Sequence, residues 1–482
     1  MMDVVEIYKI NEIYLKIKAE PSIMMEMSQF FTFDVPGAKF SPAFRNKVWD
    51  GKIRLLNVMT GSLYCGLNRY VEEFCNHRKY KFEYHYDNTS EEFSLKEAND
   101  FIKSLKLTLE PRDYQIEAFT HGVRENRCLL LSPTGSGKSL IIYLLTRYYN
   151  AKTLIIVPTT SLVSQLASDF ADYGFDSNRY IHKIYSGQDK QTDKSITIST
   201  WQSIYKFPKK FFEQFELVIG DEAHLFKAKS LVSILTKMES CKYRFGFTGT
   251  LDGTQTNKLV LEGLFGPVRK IISTSELIDQ KHLSNFKIKS IVLSYPDEIR
   301  KTISKVSDYQ SEIDFIVTNQ HRNKFICNLA LSLKGNTLLL FQFVEKHGKV
   351  LYDMLSNSDR NVYYVSGEVE GEDREKIRKA IETETDAIII ASSGTFSTGI
   401  NIKNLHNIIF SSPSKSKIKN LQSIGRVLRK SDTKEEATLF DIADDLSWKS
   451  KKNYTLLHFM ERIKLYNEEQ FPYKIYNVSL NI

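Results

Sequence analysis

The sequence predicts an α/β protein: two doubly wound parallel-sheet lobes behind a small α+β N-terminal region. Three observations carry that expectation. Short, near-continuous apolar runs alternate with longer helical segments through the middle of the chain, as strands buried on both faces and their crossover helices do. The same texture returns in the C-terminal half without a visible sequence repeat. A glycine-containing loop follows the first apolar run and opens a helical stretch, as a phosphate-binding turn between strand and helix does.

The 482 residues are enough for about three domains with real cores. Residues 1–90 read as short strands and turns rich in aromatic residues, an expected accessory domain. The acidic stretch 86–100 reads as a linker into a helix. Residues 91–278 form the expected first lobe, with apolar runs at 127–131, 153–158, 195–200, 215–220 and 243–250. Residues 279–450 form the second, with runs at 336–341, 361–367, 386–393, 407–412 and 437–444. The segment from Lys281 to about Gln320 reads as a bridge between the lobes. Residues 451–482 read as an amphipathic helix and a final strand packing on the second lobe.

Composition bounds the function classes. No run of about 18 apolar residues occurs, so no membrane-spanning helix and no membrane partner are expected. The five cysteines are scattered, which argues against a disulfide framework or a metal cluster and for a reduced, cytoplasmic setting. A net charge of +8 permits an anionic partner without requiring one.

The chemistry concentrates in a few segments. Ser132, Pro133, Thr134, Gly135, Ser136, Gly137, Lys138 and Ser139 make a Walker A loop in the required strand–loop–helix context. Its backbone N–H groups curl around phosphates, and the helix N-terminus adds partial positive charge. Lys138 is placed to reach the β- and γ-phosphates of ATP, and Ser139 to ligate Mg²⁺. Asp221, Glu222, Ala223 and His224 follow an apolar run, where a Walker B acid belongs: Asp221 for the Mg²⁺ shell, Glu222 to polarise the attacking water. Taken alone, the first segment is also readable as a glycine turn and the second as an acidic helix start; together, at a spacing that fits two βα units, they point to a nucleotide hydrolase. In the second lobe, Arg426 and Arg429 lie three apart on one expected helix face, as candidate arginine fingers.

These residues resemble the superfamily 2 helicases of the DEAH/DExH kind, over about residues 105–450. Glu110 to Gln115 look like the adenine-reading segment, with Arg112 and Gln115 in the recognition positions. Ser132 matches that family's first motif, where a small residue replaces the usual glycine. Pro158 to Gln165, Ser199 to Gln202 and Phe247 to Thr250 resemble motifs Ia, Ib and III. Ser397 to Asn401, including Gly399, resemble motif V, with Asn401 where Asp is usual, and Gln422 to Arg429 resemble motif VI. The resemblance implies two RecA-like lobes with ATP and Mg²⁺ between strand ends. A narrower resemblance, to recombination and repair helicases and carried by residues 36–57 and 458–473, implies remodelling of branched DNA: Holliday-junction branch migration, fork regression, and unwinding of D-loops or R-loops.

Nucleic acid is expected first at Lys39, Arg45, Lys47, Lys52 and Arg54, interleaved with Phe40, Phe44 and Trp49. Such cations neutralise phosphates, and the rings stack on bases or wedge strands apart. The alternative is a small aromatic core with solvated lysines. Arg69, Arg78, Lys79 and Lys81 are candidates to extend the surface. In the motor, Thr159, Thr200 and Gln202 suit backbone contacts, though each also suits a helix cap. His224 is expected beside the ATP site, and His347 on a helix surface. The partner expected is DNA, branched or forked, with RNA–DNA hybrid as a further candidate, bound by a monomer or weak oligomer. Competing readings are a small-molecule phosphotransferase, an ATP-gated DNA-binding or annealing module, and a double-strand translocase that does not separate strands.

Overall fold

The structure, a computed structural model, describes residues 4–89, 91–185, 193–251, 254–305, 308–367, 371–399, 402, 404–413, 416, 423–425, 428, 434 and 436–480, with the backbone alone at 227, 256, 371–375, 378 and 397–399. The chain divides into two units, Met1–Ser132 with Gly137–Ile272, and Pro133–Ser136 with Ser273–Ile482.

Six strands belong to the N-terminal region: β1 (Val4–Lys9), β2 (Tyr14–Lys18), β3 (Thr32–Asp34), β4 (Lys52–Arg54), β5 (Ser62–Tyr64) and β6 (Lys81–Tyr84). Four of them form a sheet in the order β5-β2-β1-β6, and β3 pairs antiparallel with β4. Alternation decides the faces: Val5, Ile7, Leu15 and Ile17 point inward and are buried. Two helices, Pro21–Phe30 and Asn68–Arg78, cover them with Met24, Met27, Val71 and Phe74.

This region packs directly on the first lobe. Leu259, from the helix Gln255–Phe265, belongs to the same buried cluster as Val5 and Phe74. Tyr70 Oη donates to Glu262 Oε2 at 2.7 Å, and Arg69 pairs with Glu125 at 2.7 Å. A Cβ on Gly66 would lie 1.8 Å from the Glu262 carbonyl oxygen, so only glycine permits this approach. The acidic stretch runs into the helix Leu95–Ser104, opened by a reciprocal Ser94–Glu97 capping box.

The first lobe holds β7 (Arg127–Leu131), β8 (Thr153–Val157), β9 (Ile181–Ile184), β10 (Ile196–Thr200), β11 (Leu217–Asp221), β12 (Tyr243–Thr248) and β13 (Val268–Lys270). All are parallel, in the order β13-β7-β12-β11-β8-β10-β9. The carboxyl ends of β7, β12 and β11 therefore lie side by side, which is where ligands of such sheets bind. Arg244, fully buried on β12, is held by the carbonyls of Leu235, Met238 and Leu264, at the C-terminal ends of two helices.

The second lobe repeats the plan with β14 (Asn285–Ser294), β15 (Thr337–Phe341), β16 (Val362–Val365), β17 (Ile388–Ser392), β18 (Asn407–Phe410), β19 (Glu436–Asp445) and β20 (Tyr473–Ser479), all parallel in the order β16-β17-β15-β18-β19-β14-β20. The two RecA-like parallel sheets read from the sequence are thus present. Part of the expected bridge is not a connector: β14 pairs with β19 along ten residues inside the sheet. The final helix and strand pack on this lobe as expected, with β20 completing its edge beside β14. Asp441 and Asp444, three apart on β19, face opposite sides. Asp441 binds Arg462 at 2.8 Å and Tyr466 at 2.8 Å, and Asp444 binds Arg322 at 2.8 Å and Tyr295 at 2.8 Å. These buried charges pin a helix to each face.

Candidate functional site

The loop after β7 leaves the sheet at Ser132, whose N–H donates to Thr248 O on β12 at 2.9 Å. Gly135 and Gly137 both take positive φ, 86° and 77°. At Gly137 a Cβ would meet Gln115 Nε2 at 2.4 Å, so the position has neither the backbone freedom nor the room for a side chain. The helix Lys138–Tyr149 then begins with Gly137 as its cap and no side chain over its first N–H groups. Gln115 ties this turn to the upstream segment. Its Oε1 accepts from Arg112 N at 2.9 Å, and its Nε2 donates to Gly137 O at 3.3 Å. Arg112 Nη1 donates to Tyr114 Oη at 2.6 Å.

Across β12, the end of β11 supplies the acids. Asp221 Oδ1 accepts from Glu222 N at 2.9 Å. Burial pushes the Asp221 carboxyl up to about 6, against the pull of Lys138 and with a further push from Glu222. Glu222 has left-handed φ and ψ of 51° and 51°, the kind of backbone strain that collects at reactive sites. That turn brings its carboxylate within 3.8 Å of Lys138 Nζ and 3.3 Å of His224 Nδ1. His224 Nδ1 also lies 3.0 Å from Thr248 Oγ1, joining the segment after β11 to the end of β12. Ser139, the expected cation ligand, shares a 2.8 Å hydrogen bond with Tyr173 Oη. No sequence signal singled out Tyr173, because its role exists only through the packing of two helices.

Lys138, Ser139, Asp221, Glu222, Arg112 and Gln115 are thus gathered at one edge of the first sheet. The bare helix N-terminus, the glycine turn and the lysine fit a polyphosphate, and the hydroxyl and carboxylate oxygens are the donor type a hard divalent cation takes. Gln422, Arg426 and Arg429 lie outside the described residues. Gly399 ends the helix Ser393–Gly399, which is described at 397–399 by its backbone alone.

The basic segment forms the β3–β4 pair and the loop between. Lys39, Arg45, Lys47, Lys52 and Arg54 are exposed, and so are Phe40 (66%), Phe44 (38%) and Val48 (82%). Arg54 pairs with Asp50 at 2.5 Å. Trp49 is half-buried and its indole N–H donates to Lys52 O at 2.8 Å. A core of aromatic residues is therefore not what this loop is. Arg69 and Arg78 are committed to Glu125 and Glu26, the latter at 2.6 Å. In the motor, Thr159 does cap a helix, accepting from Leu162 N at 3.4 Å. Thr200 is buried against Ser203 Oγ at 2.8 Å, while Gln202 is exposed and donates to Pro158 O at 3.5 Å. His347 is a correction: it is fully buried, with Nδ1 2.9 Å from Ser412 Oγ.

Comparison with known proteins places these features. Residues 8–85 match the family "DNA helicase UvsW, N-terminal", 108–253 "Type III restriction enzyme, res subunit", and 321–431 "Helicase conserved C-terminal domain". The ATP-dependent DNA helicase UvsW of Enterobacteria phage T4 is 39% identical, over 97% of this chain and 98% of that protein. The chain belongs to the UvsW family of ATP-dependent DNA helicases. The crystal structure of T4 UvsW matches it with a TM-score of 0.53 at 37% identity, covering both chains fully. The DNA 3′-5′ translocase XPB2 of Sulfurisphaera tokodaii is 25% identical over 70% of this chain and 82% of that protein. Among the described residues, no helix is long and apolar enough to cross a membrane.

Proposed function

We propose that this UvsW-family helicase uses Mg²⁺-ATP, bound on the loop Ser132–Ser139, to remodel branched DNA held in part by the exposed loop between β3 and β4. The observation that carries the site is the convergence of Lys138 and Ser139, after β7, with Asp221 and Glu222, at the end of β11, on either side of the end of β12 in one parallel sheet. Lys138 holds the terminal phosphates, Ser139 and Asp221 supply oxygen ligands, and Glu222 takes the proton of the attacking water. The cation neutralises charge on the phosphoryl oxygens when bound. Arg112 and Gln115 read the base end, with Gln115 passing its position to Gly137 through the amide. Arg426 and Arg429 are the arginine fingers of this reading, stabilising transition-state charge, and Gly399 is a further nucleotide-binding position.

The substrate reading rests on basic and aromatic residues exposed on β4 and the segment that precedes it. Lys39, Arg45, Lys47, Lys52 and Arg54 supply sequence-independent phosphate contacts, and Phe40 and Phe44 supply rings for unpaired bases at a junction. Thr159, Thr200 and Gln202 are the motor's backbone contacts, with Gln202 the exposed one. Residues 1–90 act as an accessory domain, 91–278 and 279–450 as the two lobes, and 451–482 as the second lobe's final elements. The protein acts in replication as well as recombination and repair, as a monomer or weak oligomer in the host-cell cytoplasm.

A second reading is favoured by the similarity to the translocase XPB2: movement along duplex DNA without strand separation. One experiment separates them. Single strand, duplex, fork, four-way junction and RNA–DNA hybrid are each scored for ATPase stimulation and for unwinding. Junction-selective unwinding supports the first reading. Duplex-stimulated hydrolysis with no unwinding of any substrate supports the second.

A further inference from the structure

The hydroxyl of Ser139 stands at the second position of a twelve-residue helix, on the edge of the phosphate loop. Its partner is the phenol of Tyr173, 2.8 Å away. Tyr173 is itself pinned. It is 8% exposed and follows the helix Thr160–Asp172, where its N–H reaches Asp169 O at 3.1 Å. Its ring meets the edge of Tyr143 at 5.3 Å, and Tyr143 lies one helical turn beyond Ser139.

A serine hydroxyl that ligates a cation must turn its lone pairs to the metal and its proton away. An unrestrained hydroxyl spreads over three rotamers and a free O–H torsion. We propose that Tyr173 is a positioning residue for Ser139: its phenol oxygen accepts the serine proton, which aims the Ser139 Oγ lone pairs at the cation of a bound nucleotide. A buried hydroxyl acceptor suits this task, since a carboxylate there would compete for the cation itself. The bond also ties the cation ligand to the end of the helix that Thr159 caps and whose first turn carries Ser161. The inference rests on Ser139 being a Mg²⁺ ligand and assigns that ligand's geometry to a residue outside the motifs.

The test is equilibrium binding of a fluorescent, non-hydrolysable ATP analogue to the full chain, in excess Mg²⁺ and in EDTA. The ratio of the two Kd values is the Mg²⁺ increment. Tyr173→Phe keeps the ring and removes the acceptor. It should lower the increment by about three- to tenfold, the scale of one neutral hydrogen bond, with the EDTA Kd unchanged within about twofold. In a Ser139→Ala background, adding Tyr173→Phe should change nothing further. Equal weakening with and without Mg²⁺, an unchanged increment, or full additivity in the double variant would each overturn the proposal and leave Tyr173 a packing residue. A wild-type increment of one would remove Ser139 as a cation ligand and the proposal with it, which distinguishes the two failures. Matching thermal melts of wild type and Tyr173→Phe exclude a general loss of fold.

Discussion

Lys138 Nζ and Glu222 Oε1 lie 3.8 Å apart, joining the phosphate loop to the acid after β11, and the two side chains are 16% and 21% exposed. The lysine serves as counter-charge to the group proposed as catalytic base. A terminal phosphate bound in the loop competes for that ammonium, so binding and release of Glu222 toward water are linked. Lys138→Ala should abolish hydrolysis. Glu222→Gln should abolish turnover while preserving or modestly tightening ATP affinity, because the amide no longer holds the lysine by charge. Steady-state ATPase and equilibrium nucleotide binding check both. Near-normal DNA-stimulated turnover in either variant would remove these residues from the site.

Arg426→Ala and Arg429→Ala should each cut turnover steeply, toward the roughly 10³-fold or more associated with arginine fingers, and leave nucleotide affinity within about tenfold. The expected split follows from their proposed task, which is realised only in the transition state. A collapse of binding with a normal rate at saturation would make them ground-state ligands instead.

The parallel-sheet lobes and the candidate phosphate loop were legible because strands such as Arg127–Leu131 and Leu217–Asp221 are short apolar runs, the first followed by the glycine loop and the second ending at Asp221, a proposed cation ligand. β14 escaped because Lys287 and Lys289 break its apolar run. Their charges leave the sheet face, Lys287 to Glu436 at 2.5 Å and Lys289 over the Phe440 ring. His347 was misplaced because Glu345, Lys346 and Lys349 surround it in sequence. A π-helical turn, Val344–Gly348, sets its direction differently from an α-helical reading. The Tyr173–Ser139 and Tyr70–Glu262 bonds join residues far apart in the chain, and no local pattern marks them.

His347 makes the second lobe acid-sensitive. Burial, aided by the charge of Arg322, pushes its pKa down to about 3, so it is neutral in the folded chain at pH 7. In the unfolded chain it titrates near about 6.5. Between those values the unfolded state binds more protons, and this stabilising contribution is lost progressively as pH falls from about 6.5 toward 3. Urea melts at pH 7.5 and 5 should show a larger loss in wild type than in His347→Gln. Equal losses would mean that the imidazole is protonated in the fold.

Arg462 and Asp441 are both essentially inaccessible to solvent, and their 2.8 Å pair holds the final helix on β19. Removing one partner leaves a buried charge uncompensated. Arg462→Ala should therefore destabilise the second lobe by roughly 3–5 kcal/mol. Arg462→Ala combined with Asp441→Asn should recover part of that loss. A denaturant melt in which the double variant is no better than the single would show that packing of the arginine stem dominates over its charge.

The N-terminal region gives the last test, and its packing decides how to make it. A boundary at residue 90 suggests deletion, but deletion would expose Leu259 and strand Glu262 without Tyr70, on a helix that approaches the Gly66 backbone too closely for any side chain between them. Residues 1–90 should accordingly be needed for a well-behaved first lobe, and a truncated chain should melt lower or aggregate. Substitution avoids this. Lys39, Arg45, Lys47, Lys52 and Arg54 are exposed, so replacing all five by Ala should leave the melt nearly unchanged. Junction affinity should fall, and the log–log salt slope should become shallower by up to about 0.9 for each duplex phosphate no longer neutralised. Basal ATPase should persist. Phe40→Ala removes a ring that is 66% exposed, so it should spare both the melt and the slope while reducing strand separation. An unchanged slope and affinity in the five-site variant would make this loop a solvated surface, and the DNA-binding groups would then lie on the lobes, beginning with Gln202.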